Sequence, residues 1–157
     1  MITRLMGRPF AAALFVTLTC AAAPADVLRV EGPGGAPLFE HAAPEGAEIC
    51  LSWNHSVTGG AVADCFVNDG GRMVLMRSYL HDFAAGLGEV QGRGTLRSAE
   101  GGGYWIEDMN DPIPDNRLPL RVGRPSTDHR LRIGGDEYKL SQIAAGERVV
   151  LHLIHED

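Results

Sequence analysis

The chain is poor in the features that announce a chemistry. It has no Cys-x-x-Cys, no His-x-x-x-His on a helix and no Gly-x-Ser-x-Gly, so the common zinc frameworks and the serine elbow of hydrolases are missing. No run of five basic residues occurs and the formal charge is -6. That excludes a nucleic-acid groove, which needs clustered Lys and Arg to displace counterions from phosphates. Helical periodicity is almost absent, and there is no internal repeat and no linker. A length of 157 residues then points to one domain. Hydrophobic residues at 45% and charged residues at 22% place the chain among globular proteins with a real core. Glycine and proline are plentiful by contrast, 20 and 9 residues, spread without a collagen-like period. Turns must be many and elements short.

One apolar run stands apart. Phe10 to Ala23 follows Arg4 and Arg8 and ends at Ala23-Pro24-Ala25, small residues at the positions a signal peptidase reads. The run is too short to span a bilayer, which takes about 20 residues. The approach to Cys20 through Thr17-Leu18-Thr19 does not fit a lipoprotein signal. Residues 1–25 are therefore expected to be a signal peptide and residues 26–157 a single β domain of 132 residues, with 12 basic against 20 acidic groups and a charge of -8. No other stretch is long enough to cross a membrane, so the expected product is periplasmic or secreted and not membrane-spanning after cleavage.

The mature part reads as strands and turns. Ile49, Leu51, Trp53, His55 and Val57 alternate with Cys50, Ser52, Asn54 and Ser56, the signature of a half-buried strand. Val62 to Val67 and Met73 to Tyr79 flank Asn68-Asp69-Gly70-Gly71, a hairpin turn tolerant of positive φ. Arg130 to Ile133 and Asp136 to Leu140 are joined by Gly134-Gly135, and counting from that two-residue loop sets Leu131 against Tyr138, Arg132 against Glu137 and Arg130 against Lys139. Ser141 to Ala145 followed by Gly146 reads as one helical turn with a glycine stop. The expected fold is all-β: a small sandwich or barrel of 8 to 10 short antiparallel strands, with at most one short helical turn near the C-terminus.

Removal of Cys20 leaves Cys50 and Cys65, an even pair that in an oxidising compartment invites a disulfide. Register leaves two alternatives open. Pairing the two cysteines requires a turn at Val57-Thr58, whereas a turn at Thr58-Gly59-Gly60 sets Trp53 opposite Cys65 and leaves two buried thiols.

Candidates for chemistry each meet a plain structural alternative. His55 and Ser56 are adjacent, but neighbours on a strand point to opposite faces, so the imidazole cannot readily activate the hydroxyl. A metal site assembled from His55, His81 and His129 across strands is the other enzymatic reading, set against histidines bonded to backbone groups. Glu107, Asp108, Asp111 and Asp115 form an acidic loop that breaks calcium-loop spacing after two ligands and reads as solvated. The glycines from Gly86 to Gly94 lack the Lys-Ser/Thr pair of a phosphate cradle and suit a lid or binding loop. His55 in phase with Trp53, and His129 in phase with Leu131, must each find a partner inside the fold, because an unpaired buried imidazole costs about 1–3 kcal/mol.

These residues carry a resemblance. Leu51-Ser52-Trp53-Asn54-His55-Ser56-Val57, then Val62 to Val67, then Phe83-Ala84-Ala85-Gly86-Leu87 resemble the His-Ser-Val, acidic-x-aromatic and Phe-Gly-Ala-Gly-Leu blocks of domain of unknown function family 1850. Leu120 to Gly123, His129-Arg130-Leu131 and Tyr138 to Gly146 are similar too, so the likeness covers about residues 47–153. Ala84, Gly88 and Asp64 depart from the usual glycine, proline and glutamate. The resemblance implies an exported, non-enzymatic β protein without a cofactor. Its implied role is accessory to tripartite ATP-independent periplasmic (TRAP) transporters of the TAXI type, with transporter subunits or a small molecule as partner. It also implies a shared site of His55, Ser56, Asp64, Phe83, Gly86 and His129, in which one role for Asp64 is to accept a hydrogen bond from an imidazole.

Overall fold

The computed structural model describes residues 26–81 and 92–155. Twelve antiparallel strands build two sheets. In chain order they are β1 (Val27–Glu31), β2 (Pro37–Ala42), β3 (Glu48–Asn54), β4 (Ala61–Asp69), β5 (Arg72–Leu80), β6 (Thr95–Ser98), β7 (Tyr104–Glu107), β8 (Asp111–Pro112), β9 (Arg117–Arg121), β10 (Arg130–Ile133), β11 (Asp136–Lys139) and β12 (Arg148–Ile154). A single helical turn, α1 (Leu140–Ile143), is capped by Ala144 at φ of -143°, two residues short of the expected glycine stop, and Gly146 takes φ of 81° in the turn that follows. The small sheet runs β2-β1-β12-β9 and the large one β11-β10-β3-β4-β5-β7-β6, with β8 added beside β5. The architecture is a sandwich, not a closed barrel. No helix among the described residues is long and apolar enough to cross a membrane.

Alternation explains how the layers meet. Leu28 and Val30 of β1 and Val149, Leu151 and Leu153 of β12 are buried on one face of the small sheet. They join Ile49, Leu51, Phe66, Met73, Leu131 and Ile133 of the large sheet in one core. Each such side chain removed from water contributes about 1.5–3 kcal/mol. β1 and β12 lie side by side with Val27 facing Ile154, so the two ends of the described chain close the small sheet on each other.

The hairpins follow the turn chemistry where the loop is short. Leu131 faces Tyr138, Arg132 faces Glu137 and Arg130 faces Lys139, as counted from Gly134-Gly135. Arg132 reaches Glu137 at 2.7 Å, and Arg130 turns from Lys139 to Asp128 and Glu137. Gly70 and Gly71, at φ of 60° and 76°, close β4 onto β5. The acidic loop is more ordered than its composition implies: Asp111–Pro112 pairs with Val74 and Leu75, and Asp111 binds Arg93.

The β3–β4 connection takes the first of the two registers left open. Trp53 faces Val62, not Cys65, and Cys50 faces Cys65 with the disulfide formed and the Cα atoms 4.1 Å apart. The strand also stops at Asn54 instead of running on to Val57. The loop is longer than a two-residue turn: Asn54 donates its N–H to the Thr127 carbonyl at 2.7 Å, and residues 55–60 fold over as a closed loop. Within it the His55 N–H donates to the Gly60 carbonyl at 2.8 Å, and the Gly59 N–H donates to the His55 carbonyl at 2.9 Å.

A second irregularity matters for the site. Cys65 faces Arg77 but Phe66 faces Leu75, so Met76 is an extra residue in β5. Such a bulge shifts the phase of the strand. Met73 and Leu75 are buried before it, Ser78 and Leu80 after it, and the Met76 carbonyl accepts the Met109 N–H at 3.0 Å.

Candidate functional site

The bulge brings the inner face of the large sheet into a definite pattern. Leu131, Leu51, Asp64, Ser78 and Ile106 form one row across five strands, and Trp53, Val62, Leu80 and Tyr104 form the next. Asp64 is thus a carboxylate set among Leu51, Ser78 and Ile106. Its Oδ1 accepts the Ser78 hydroxyl at 2.5 Å, so its partner is that hydroxyl and not an imidazole. Burial pushes the Asp64 carboxyl above the usual aspartate range, opposed by the Ser78 bond and the positive charge of Arg93.

His129 closes the neighbouring row. It is buried, and its ring stacks on Trp53 with centroids 5.8 Å apart and planes 14° from parallel. Its Nδ1 accepts the Gly123 N–H at 3.1 Å, and its own N–H donates to the Ser141 hydroxyl at 2.9 Å, which in turn donates to the Gly123 carbonyl at 3.0 Å. Burial lowers its pKa, with Asp128 pulling the other way. An Nδ1 that accepts a backbone N–H leaves the neutral ring with its proton on Nε2.

His55 does comparable work at the end of β3. Its Nδ1 accepts the N–H groups of Val57 and Thr58 at 3.4 and 3.3 Å, both long contacts, so the imidazole caps the loop that it begins. Ser56 and Val57 are exposed at the tip, and no hydrogen bond joins Ser56 to His55 among the described residues. Both in-phase histidines therefore find partners within the fold: the buried His129 takes a backbone N–H, and the half-buried His55 takes two backbone N–H groups and lies 3.4 Å from the Thr58 hydroxyl.

The sequence-derived set is brought together in part. His129 meets Trp53 directly, Asp64 lies on the same inner face one row away, and His55 follows two residues after Trp53 at the sheet end. Phe83 and Gly86 lie outside the described residues, as does most of the glycine segment that reads as a lid. His81 is exposed just beyond β5. The three histidines of the metal reading are not gathered: among the described residues the group of His, Cys, Asp or Glu ligand atoms within 4.8 Å of one another is Glu48, Cys50 and Cys65. Its two sulfurs are bonded to each other.

Several participants escaped the sequence reading. Ser78 and Arg93 set the surroundings of Asp64, and a serine inside the apolar run from Met73 to Leu80 was the available signal. Elsewhere Asn68 is fully buried and donates to Asp26 and to the Ala43 carbonyl, both at 2.7 Å, while Asp26 also meets His155. Glu31, buried in the small sheet, accepts from Arg117 and meets His152; those hydrogen bonds hold its carboxyl below the ordinary glutamate range.

Comparison with known proteins adds one likeness. A family model described as Domain of unknown function (DUF1850) matches residues 49–140, which covers β3 to β11. No curated protein and no solved structure matches the chain.

Proposed function

Because the chain belongs to the DUF1850 family of domains of unknown function, we propose that it is an exported, non-enzymatic β domain, periplasmic or secreted, that serves as a binding or accessory module of a TAXI-type TRAP solute-uptake system. The observation that carries this reading is the engagement of its polar site residues. His55 holds a loop, His129 holds Gly123 and stacks on Trp53, and Asp64 takes the Ser78 hydroxyl. Each Nδ1 that would serve as a general base already accepts a backbone N–H, and the hydroxyl that meets an imidazole among the described residues, Thr58 Oγ1 at a long 3.4 Å from His55 Nδ1, shares that nitrogen with the N–H groups of Val57 and Thr58. A rigid, partly polar sheet end suits recognition of a transporter subunit or a small molecule more than turnover.

The alternative, a small metal-dependent or hydrolytic enzyme using His55, His81 and His129, lacks that gathering of ligands among the described residues. The deciding experiment is co-purification of the tagged mature domain from its native membranes, with bound proteins identified by mass spectrometry. Enrichment of TRAP membrane subunits over an unrelated exported domain is the expected result. Recovery of the tagged domain alone would remove the proposal.

A further inference from the structure

The outer face of the small sheet holds a cleft that the proposed function does not use. Its volume is about 590 Å³, and its lining includes the Gly32-Pro33-Gly34-Gly35 turn, Arg121, Arg148 and Val150, together with the Glu31 carboxylate that Arg117 neutralises. Arg121 and Arg148 are directly opposed on β9 and β12. Directly opposed residues bring their Cβ atoms to about 4.5–5.5 Å, and like charges placed so repel.

This pair is exceptional in the molecule. Every other strand-borne arginine among the described residues has a carboxylate within 4.0 Å, whereas neither Arg121 nor Arg148 has one. The third arginine of the cleft, Arg117, is taken by Glu31. Glu147 lines the cleft but lies beyond ion-pair distance of both free guanidinium groups. Protection of a sheet edge does not explain the arrangement. β9 is the edge strand and has Pro119 to blunt it, but Arg148 stands on β12, an inner strand that pairs with β9 from Arg148 to His152 and with β1 from Val150 to Ile154. The facing turn leaves room, since a Cβ added at Gly34 or Gly35 meets nothing within 4 Å.

We propose that the cleft is a binding site for a phosphoryl dianion held between Arg121 and Arg148. Two guanidinium groups on directly opposed residues lining one cleft carry two positive charges and want more than two acceptor oxygens. A tetrahedral phosphoryl group with three terminal oxygens meets both requirements, whereas one carboxylate satisfies a single fork. Free phosphate, a soluble phosphate monoester and a lipid headgroup share that chemistry.

The test is calorimetric titration of the mature domain with inorganic phosphate, beside sedimentation with phosphatidic acid vesicles. Wild type, Arg121→Gln, Arg148→Gln and the double substitution are compared with Arg124→Gln, an exposed arginine outside the cleft. Saturable phosphate binding, weakened about tenfold or more by either single cleft substitution and unchanged by Arg124→Gln, is expected from the loss of one charge-assisted contact. Arginine-dependent sedimentation without binding of free phosphate assigns the lipid headgroup as the source and upholds the site. The variants should fold, since they relieve a repulsion, and melting curves check this. Binding to neither probe, or binding that the double substitution leaves unchanged, overturns the proposal.

Discussion

Opening the Cys50–Cys65 bridge is the perturbation whose cost the structure allows to be worked out. The bond joins residues 15 apart at directly opposed positions of β3 and β4. Closing a loop of that length removes unfolded-chain freedom equivalent to about 3 kcal/mol in the chain-entropy treatment. The figure is an upper bound here, because the hairpin within the loop keeps its own backbone hydrogen bonds, and a loss of about 2–3 kcal/mol is expected. For a domain of this size that corresponds to a fall in melting temperature of about 6–12 °C. The side chains point to the outer face between Arg77 and Arg132, so replacement by alanine opens little core. Cys50→Ala/Cys65→Ala and wild type should be melted with and without a thiol reductant. The double variant should melt lower than oxidised wild type and ignore the reductant, while reduced wild type approaches it. A double variant that melts within about 1 °C of oxidised wild type would refute the reasoning.

Asp64→Asn should raise stability at neutral pH while keeping an acceptor for Ser78. The raised carboxyl favours the protonated folded state, so wild type loses stability as pH rises through the folded-state pKa, and the advantage of the variant should vanish below the ordinary aspartate value of 3.8; urea melts across that range check it. His129→Ala should cost about 2–4 kcal/mol through the orphaned Gly123 N–H and the lost Trp53 stack. The lowered pKa of His129 gives stability that is present above the ordinary histidine value of 6.5 and lost as pH falls through the folded-state value; a variant without the imidazole should lack that step. Leu151→Ala, at the centre of the core, should cost about 2–5 kcal/mol by denaturant unfolding.

Legibility in the sequence tracked the length of each connection. Gly134-Gly135 is a two-residue loop, and every cross-strand pair of β10 and β11 could be counted from it. The β3–β4 loop is six residues held from inside by an imidazole, so glycine positions alone pointed to the wrong register. The two-sheet arrangement depends on β1 meeting β12 across nearly the whole chain, a contact that no local pattern specifies. The same division holds for the site. That His55 and His129 needed partners followed from their phase with apolar neighbours. That Ser78 would meet Asp64 did not, because it depends on the Met76 bulge, and a bulge leaves no periodic trace.

The family match covers β3 from Ile49 through β11, whereas β1, β2 and β12 lie outside it. Those three strands supply most of the small sheet and with it Leu28, Val30, Val149, Leu151 and Leu153 of the sandwich core. A fragment limited to residues 49–140 would leave the inner faces of Leu51 and Leu131 uncovered and should not fold alone, which circular dichroism would reveal.

The most direct measurement for the proposed role is the affinity of the mature domain for detergent-solubilised TAXI-type TRAP membrane subunits, wild type against His55→Ala, by surface plasmon resonance. His55→Ala removes the acceptor that holds the exposed Ser56-Val57 tip and should cost the fold only about 0.5–1.5 kcal/mol. Saturable binding by wild type, weakened tenfold or more by a variant that is still folded, is the expected result. Absence of binding by wild type, or equal binding by both proteins, would contradict it.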